Sequence, residues 1–326
     1  MHLPVLRARA GVSACGTGRA KGHCRPALPP DLADPHRRAQ NSRTPDGGEP
    51  ILDDSSIGRV SAQRARGSAA LAVAPRDGGT AIAALSQSGS AKLLFPRAPR
   101  DAALDAVWLN TAGGITGGDT FQLSAEARPG ARLRLTTQAA ERIYRALPGA
   151  PGAMTTQLTV GRGAICHWLP QETILFDAAA LTRSLRVDLT GDAAFLGCEA
   201  LIFGRRAMGE RVRDLRLSDR IDVTRDGRAV YADRLRLSGD ADAQLSRAFV
   251  GGGAGAMATV ILARPNAGDA ADTLRAMLPA NAGASAPTDD VAVVRLLAED
   301  GFELRRSLVP LLTHLAGAPL PRPWMI

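Results

Sequence analysis

Glu199 is the residue whose surroundings most directly suggest chemistry, because it stands in an almost wholly apolar run from Ala193 to Phe203. Such a run is typical of a strand buried on both faces, where an unpaired carboxylate is costly. Two interpretations remain open. Glu199 forms a buried ion pair with one of the many arginines, or it lines a hydrated internal passage whose oxygen ligands hold a divalent ion weakly enough to release it.

A second unusual feature is the segment from Leu109 to Asp119, which reads LNTAGGITGGD. Glycine pairs occur where the backbone needs a positive φ or where another group approaches closely. The spacing matches neither a dinucleotide-binding loop nor a P-loop, and no helix start follows it. The segment therefore predicts a tight turn between strands, built on Gly113, Gly114, Gly117 and Gly118.

Strands are expected directly after this loop. The segments from Phe121 to Ala127 and from Ala131 to Thr137 alternate apolar and polar residues with a period of two. Pro129 and Gly130 separate them and favour a turn, so the pattern predicts a hairpin.

Three further segments carry polar residues in suggestive positions. Gln171 and Glu172 follow Pro170, which predicts a bend where their side chains either hold neighbouring backbone or serve a passage or partner. Arg205 and Glu210 flank a glycine-containing bend and predict an ion pair. A hydrogen-bonded turn around the glycine loop is expected from Thr136, Thr137, Gln138, Tyr144 and Arg145.

Catalytic groups are scarce in the expected folded body. It contains two histidines, His167 and His314, and neither stands in a recognisable setting with a nucleophile. The four cysteines have no CxxC spacing, so disulfides are not expected, and Cys166 and His167 would point to opposite faces of one strand. The sequence therefore predicts no catalytic residues and no enzyme. The alternative is a β-rich ligand-binding or nucleotide-binding enzyme that uses the GGITGGD loop.

Composition favours a globular protein of the cytoplasm. The chain has 326 residues, 45% of them hydrophobic and 22% charged, and no apolar run approaches the roughly 18 residues that cross a bilayer. The net charge of +8 rests almost entirely on arginine, since Lys21 and Lys92 are the only lysines. The arginines are scattered through alternating segments and do not form a patch with aromatic residues, which disfavours nucleic-acid binding.

The chain divides into an N-terminal extension and a β-rich body. Residues 1–57 show neither a helical nor a strand period, which predicts disorder, and a misassigned start is one explanation of this extension. From Thr80 onward, strand-like runs recur with short turns, including a hairpin from Ile221 to Leu237 around Asp226-Gly227. The apolar run from Val291 to Ala298 predicts another strand.

Helical patterns are few. Helices are predicted from Asp269 to Leu278, with Leu274, Met277 and Leu278 on one face, and from Leu304 to Ala316. Short helices are considered at Arg142–Ala146 and Ala241–Val250, and a loop at Gly283–Pro287.

Taken in order, these segments resemble the urease accessory protein family called UreD or UreH. The resemblance runs from about Gln63 to the C-terminus and rests on QRARG, LFPR, GGITGGD, TTQAAERIYR, WLPQETILF, FGRRAMGE and LPRPW. It implies a mainly β, helix-poor fold of stacked sheets in a β-helix-like arrangement, with one domain over residues 58–326. The N-terminal extension is foreign to the family pattern.

The resemblance also implies a function and a set of site residues. Members of this family are non-enzymatic scaffolds that bind apo-urease and, with UreF and the GTPase UreG, help deliver nickel to urease. An internal tunnel is thought to pass nickel, so Glu199, Asp233 and Asp119 become candidates for its lining. Nickel would be transient, and no tightly bound cofactor is implied.

Overall fold

The protein consists mainly of parallel β-strands that alternate between two stacked sheets. The computed structural model describes residues 63–97 and 103–325, and the predicted disorder of residues 1–57 lies outside these ranges. The strands that form the repeating body are β1 (Arg66–Arg76), β4 (Leu104–Asn110), β5 (Thr120–Ala127), β6 (Arg132–Thr137), β8 (Gly152–Val160), β9 (Ile165–Leu169), β11 (Ala180–Leu189), β12 (Ala194–Phe203) and β13 (Leu215–Arg225).

Successive strands of this body fall in different sheets. The seven-stranded sheet contains β13, β11, β8, β5 and β1 as parallel neighbours, and the ten-stranded sheet contains β12, β9, β6 and β4 in the same way. The chain thus passes from one sheet to the other at every turn, as in a β-solenoid. The expected mainly β, β-helix-like stack is confirmed.

The hairpin predicted across Pro129-Gly130 is wrong, although both of its strands exist. β5 pairs with β1 and β8, whereas β6 pairs with β4 and β9 in the facing sheet. A period of two shows which residues face the core, but it does not show which strand lies alongside. The short turn here crosses between the sheets.

Antiparallel strands close the edges of both sheets. In the seven-stranded sheet these are β2 (Gly79–Gly89) and β14 (Arg228–Gly239); in the ten-stranded sheet they are β3 (Ala91–Leu94), β15 (Ala256–Ala263), β16 (Ala282–Thr288) and β17 (Val291–Ala298). Two short strands, β7 (Glu141–Ile143) and β10 (Thr173–Leu175), also belong to the ten-stranded sheet. The predicted hairpin at Asp226-Gly227 is confirmed, and both turn residues have positive φ values of 49° and 77°.

The helices are α1 (Ala241–Ser246), α2 (Ala271–Met277) and α3 (Gly301–Ala316). In α3, the buried residues Leu304, Leu308, Leu311 and Leu312 pack on the outer face of the ten-stranded sheet. This packing explains why β12 is buried on both faces, since one face meets the other sheet and the other meets this helix cluster.

Three local predictions are wrong. Arg142–Ala146 begins within β7 and is not helical, and Gly283–Pro287 lies within β16 because it pairs with β17. Met277 is exposed, whereas Leu274 on the same helix is buried. Pairing with a distant strand overrides the local pattern in the first two cases. In the third, the orientation of the helix on the sheet leaves Met277 outside the core. Among the described residues, no helix is long and apolar enough to cross a membrane.

Candidate functional site

The segments singled out in the sequence converge on one strip of parallel pairing. Ile115 of the glycine loop bridges Ile143 of β7, β7 pairs with β10, and β10 pairs with the end of β12. Four distant segments therefore lie side by side: GGITGGD, AAERIYR, PQETILF and the strand that leads into FGRRAMGE. Parallel stacking produces this convergence, because equivalent points of successive turns lie next to each other.

Backbone hydrogen bonds hold the glycine loop against β7 and the residue that follows it. The amide of Ile115 donates to the Arg142 carbonyl at 2.8 Å, and the amide of Tyr144 donates to the Ile115 carbonyl at 2.7 Å. Gly114 has a φ of 153°, and a Cβ there would lie 2.3 Å from the Tyr144 ring. The glycines thus permit close backbone approach, as the sequence predicted.

Asp119 holds this loop in place with both carboxylate oxygens. Oδ1 accepts from the Ala65 amide and Oδ2 accepts from the Thr116 amide, each at 2.9 Å. The amides of Gly118 and Asp119 donate to the carbonyls of Pro151 and Thr116. Because these donors and acceptors are satisfied within the chain, the geometry gives no support to the alternative in which the loop binds a substrate anion.

An aromatic and charged stack lies beside the loop. The Tyr144 ring packs edge-on against Phe176 at 5.2 Å, and the Arg205 guanidinium lies 4.7 Å from the centre of the Phe176 ring. Arg205 Nε donates to Glu210 Oε2 at 2.8 Å, so the predicted ion pair is present. Arg145 contributes its carbonyl, which accepts from the Thr116 hydroxyl at 2.7 Å.

The bend at Gln171 and Glu172 anchors the C-terminus. Arg305 Nη1 on α3 donates to Gln171 Oε1 at 2.7 Å and to Glu172 Oε1 at 3.1 Å. Its Nη2 donates to the carbonyl of Trp324 at 2.9 Å. These contacts favour the interpretation in which both side chains hold neighbouring structure, although their partner, Arg305, lies 134 and 133 residues away in the sequence.

Glu199 belongs to a buried charge cluster that joins the two sheets. Arg183 on β11 contacts Glu199 Oε2 on β12 at 2.6 Å and binds both carboxylate oxygens of Asp219 on β13, at 3.0 and 2.5 Å. All three side chains are at most 8% exposed. The arginine partner foreseen for Glu199 is therefore present, and it is shared with a second carboxylate.

The charges in this cluster do not balance, because one guanidinium faces two carboxylates. Desolvation raises the pKa of Glu199, and the charge of Asp219 acts in the same direction, while Arg183 and the Trp168 indole, 2.7 Å from Oε1, lower it. Arg183 and Asp219 were not identified from the sequence. The sequence does contain a pattern that could have identified them. Each stands at a core-facing position of an alternating strand, between residues that are apolar and buried.

A small cavity of about 40 Å³ lies against this cluster. A water needs roughly 10–15 Å³ of such space, so the cavity has room for water. The Gln171 side-chain nitrogen is buried without a hydrogen-bond partner in the described part of the chain, and it needs one. The polar side chains that line it are those of Thr137, Glu141, Thr155, Thr156, Gln171, Thr173, Arg183, Ser184 and Glu199.

Glu141 stands between this cavity and a more open pocket of about 140 Å³, because it lines both. Asn110 Nδ2 donates to its carboxylate oxygens at 3.1 and 3.3 Å. Burial raises the pKa of Glu141 to about 7, against the smaller opposing effects of the Asn110 hydrogen bond and of Arg142. The sequence analysis did not identify Glu141, whose setting depends on the pairing of β7.

The other candidate ligands lie apart from Glu199. Asp233 on β14 is bound by Arg295 of β17 at 2.6 Å, which links the edge strand of one sheet to the second strand of the other. Among the residues that the structure describes, no three His, Cys, Asp or Glu side chains form a group able to hold a metal. Asp119, Glu199 and Asp233 are thus not assembled into one site.

The remaining polar candidates have structural neighbours. Thr136 is fully buried, the Thr137 hydroxyl accepts from the Gln171 amide at 2.8 Å, and the Gln138 amide donates to the Trp108 carbonyl at 2.8 Å. Cys166 is buried in the core, and His167 points to the outer face of the sheet, as the alternation of a strand requires.

Comparison with known proteins identifies relatives over most of the chain. A family model described as UreD urease accessory protein matches residues 65–325. A urease accessory protein UreD of Ruegeria pomeroyi is 50% identical over 247 residues, which are 76% of this chain and 96% of the relative. Proteins of the same name from Ruegeria sp. and Rhizobium rhizogenes are 49% and 44% identical, over 81% and 80% of this chain and 91% and 96% of their own lengths.

The buried cluster predicts that two substitutions within it lower the free energy of unfolding by very different amounts. Arg183→Met leaves two carboxylates buried without a counter-charge and should cost about 3–5 kcal/mol of unfolding free energy. Glu199→Gln should cost far less, since Arg183 keeps Asp219. Urea unfolding measures both. Arg186→Met, on the same strand but exposed, serves as the control and should cost less than about 1 kcal/mol. Equal losses for Arg183→Met and Glu199→Gln would contradict this account.

Glu141 predicts a dependence of stability on pH. Its pKa is raised from 4.5 to about 7 in the folded state, so the folded protein binds more protons than the unfolded chain across this range. Wild-type stability should therefore fall as pH rises from 4.5 to 7. Glu141→Gln should gain relative to wild type by up to about 3 kcal/mol between pH 5 and pH 8.

Urea unfolding at several pH values measures this difference. Glu126→Gln, which removes a half-exposed carboxylate, is the matched control. A constant difference between Glu141→Gln and wild type across pH 5–8 would show that Glu141 does not titrate in this way.

Proposed function

The chain belongs to the UreD family of urease accessory proteins, and we propose that it acts in the cytoplasm as a scaffold in urease maturation and is not itself an enzyme. In this proposal it binds apo-urease together with UreF and UreG and helps to pass nickel to the urease active site. Family membership over residues 65–325 is the observation that carries the proposal.

The buried cluster and its cavity support a role for Glu199 in nickel transfer. Carboxylate oxygens bind divalent cations, and the cluster of Arg183, Glu199 and Asp219 carries one carboxylate more than its single guanidinium balances. Glu199 already accepts from Trp168 and contacts Arg183, so a passing Ni²⁺ would compete with these partners and be held weakly. Weak binding suits a cargo that must be released.

The three carboxylates are not equally suited to this role. Both oxygens of Asp119 accept hydrogen bonds from the backbone amides of Ala65 and Thr116 that hold the glycine loop, so a metal ion would have to compete with these contacts. Asp233 is 15% exposed and is bound by the half-exposed Arg295. We therefore rank Glu199 as the strongest candidate for the proposed route and Asp233 as the second. We add Glu141, which lines both the internal cavity and the more open pocket.

An exposed apolar patch supports binding to a protein partner. Met208, Phe249 and Phe302 are 77%, 104% and 73% exposed on three segments that Arg206 brings together, and large apolar groups exposed close to one another mark interaction surfaces. Arg206 links the segments that carry them, because Nη1 donates to the carbonyls of Gly253 at 2.9 Å and Glu299 at 3.2 Å. We call Met208, Phe249, Val250 and Phe302 the apolar patch.

The proposed function predicts the phenotype of a deletion strain. Without this protein, urease subunits should accumulate largely free of nickel and inactive, and the wild-type gene should restore activity. Glu199→Gln should still form the complex with urease but reduce its nickel content, because an anionic donor is lost with little change in volume. Asp233→Asn tests the second position, and Glu126→Gln is the control.

Purified urease is assayed for nickel by mass spectrometry and for activity. Full urease activity in the deletion strain would overturn the proposed function. If the Glu199→Gln variant is stable and urease still contains as much nickel as with the wild-type protein, only Glu199 would be removed from the proposed route.

The apolar patch predicts a binding defect without a folding defect. Phe249→Ser and Phe302→Ser should leave the melting temperature nearly unchanged, since both rings are exposed. If the patch contains interface hot spots, each change should weaken partner binding by about 2 kcal/mol or more, roughly 30-fold. Co-purification with urease, UreF and UreG measures this. Leu85→Ser, an exposed apolar position on β2, is the control.

A further inference from the structure

A groove on the outer face of the ten-stranded sheet lies outside the site described above. It has a volume of about 650 Å³, within the range of roughly 300–1,000 Å³ that is usual for binding sites. One wall is formed by strands β4, β6 and β9 near their N-terminal ends. The opposite wall is the C-terminal segment from Ala316 to Arg322.

The C-terminal wall is fixed to the sheet by Arg134. Its Nε and Nη2 donate to both carboxylate oxygens of Asp105, at 2.6 and 2.8 Å, and its Nη1 donates to the Pro319 carbonyl at 2.9 Å. All three nitrogens of this guanidinium are therefore used. The groove is held open by these contacts and does not require a ligand to form it.

The remaining charges in the groove are positive. Arg132 and Arg322 line it, both are exposed, and in the described ranges no carboxylate lies within ion-pair distance of either. Asp105 is the one acidic residue among the lining side chains, and Arg134 neutralises it. The groove therefore presents two free guanidinium groups to solvent.

The floor of the groove combines apolar surface with a histidine that lacks a partner. Ile165, Ala316 and Leu320 supply the apolar part. The Nδ1 atom of His167 is buried with no hydrogen-bond partner in the described part of the chain. Desolvation, with the charge of Arg134, lowers the pKa of His167 to about 4 against the opposing charge of Asp105, so the ring is neutral at pH 7.

We propose that this groove binds an extended segment of a partner protein that carries carboxylate side chains next to apolar ones. Arg132 and Arg322 would each pair with a carboxylate, and the apolar side chains would cover Ile165 and Leu320. A segment with both kinds of side chain matches the groove better than a small anion, which would leave the apolar floor exposed. The inference is independent of the proposed role in urease maturation, because binding is measured on the isolated protein.

Fluorescence anisotropy with a labelled eight-residue peptide of alternating Leu and Glu tests the proposal. The peptide should bind at low ionic strength and lose affinity with added salt, as ion pairs at exposed sites do. The same peptide with Gln in place of Glu should bind at least tenfold more weakly. Glutarate, a dicarboxylate without the apolar part, should compete only at much higher concentration.

Two double variants localise the binding. Arg132→Gln with Arg322→Gln should weaken binding of the acidic peptide at least tenfold, with an unchanged melting temperature. Arg228→Gln with Arg236→Gln, two exposed arginines on β14, removes the same charge and should have little effect. The imidazole NMR signals of His167 should shift when the peptide binds to wild type.

Several results would overturn the inference. Equal binding of the Glu and Gln peptides would remove the carboxylate requirement, and competition by glutarate at the peptide's own Kd would indicate a small-anion site. Equal losses in the two double variants would show that net charge alone is responsible. No binding of the acidic peptide at millimolar concentration, or binding without a shift at His167, would place the partner elsewhere.

Discussion

The contact on which the interior depends is the bridge from Arg183 to Glu199 and Asp219. Here the seven-stranded and ten-stranded sheets are joined in the core by charges that are at most 8% exposed, and not only by apolar packing. An unpaired charge buried here would cost several kcal/mol, so Arg183 and the two carboxylates stabilise one another. Removing Arg183 would leave both carboxylates buried without a counter-charge. Arg183 and Glu199 of this cluster also form part of the polar wall of the cavity beside it.

The parallel stack places the other functional candidates around this bridge. Because each turn of the chain lies directly beside the preceding one, the glycine loop, β7, β10 and the end of β12 form one continuous strip. Arg305 then ties Gln171 and Glu172 to α3 and to the C-terminal Trp324. The bend therefore contacts, through Arg305, the residues that follow the C-terminal wall of the outer groove.

The surface separates into regions with different chemistry. The apolar patch near Arg206 offers large uncharged side chains, whereas the outer groove offers free arginines over a partly apolar floor. The internal cavity is small and contains carboxylates. The scaffold role proposed above would need such separate surfaces, because each partner must be recognised without occupying the position of another.

Local sequence patterns were enough to predict the mainly β fold, several of its strands, the hairpin at Asp226-Gly227, helix α3 and the need of Glu199 for a partner. These follow from local patterns: periodicity, turn residues and a charge in an apolar run. Contacts between distant segments place β5 and β6 in different sheets, put Arg142 and Gly283 in strands, and bring Arg183 and Asp219 to Glu199. Strand partners, and therefore the neighbours of a side chain, are set by contacts between segments far apart in the chain, which a local pattern does not encode.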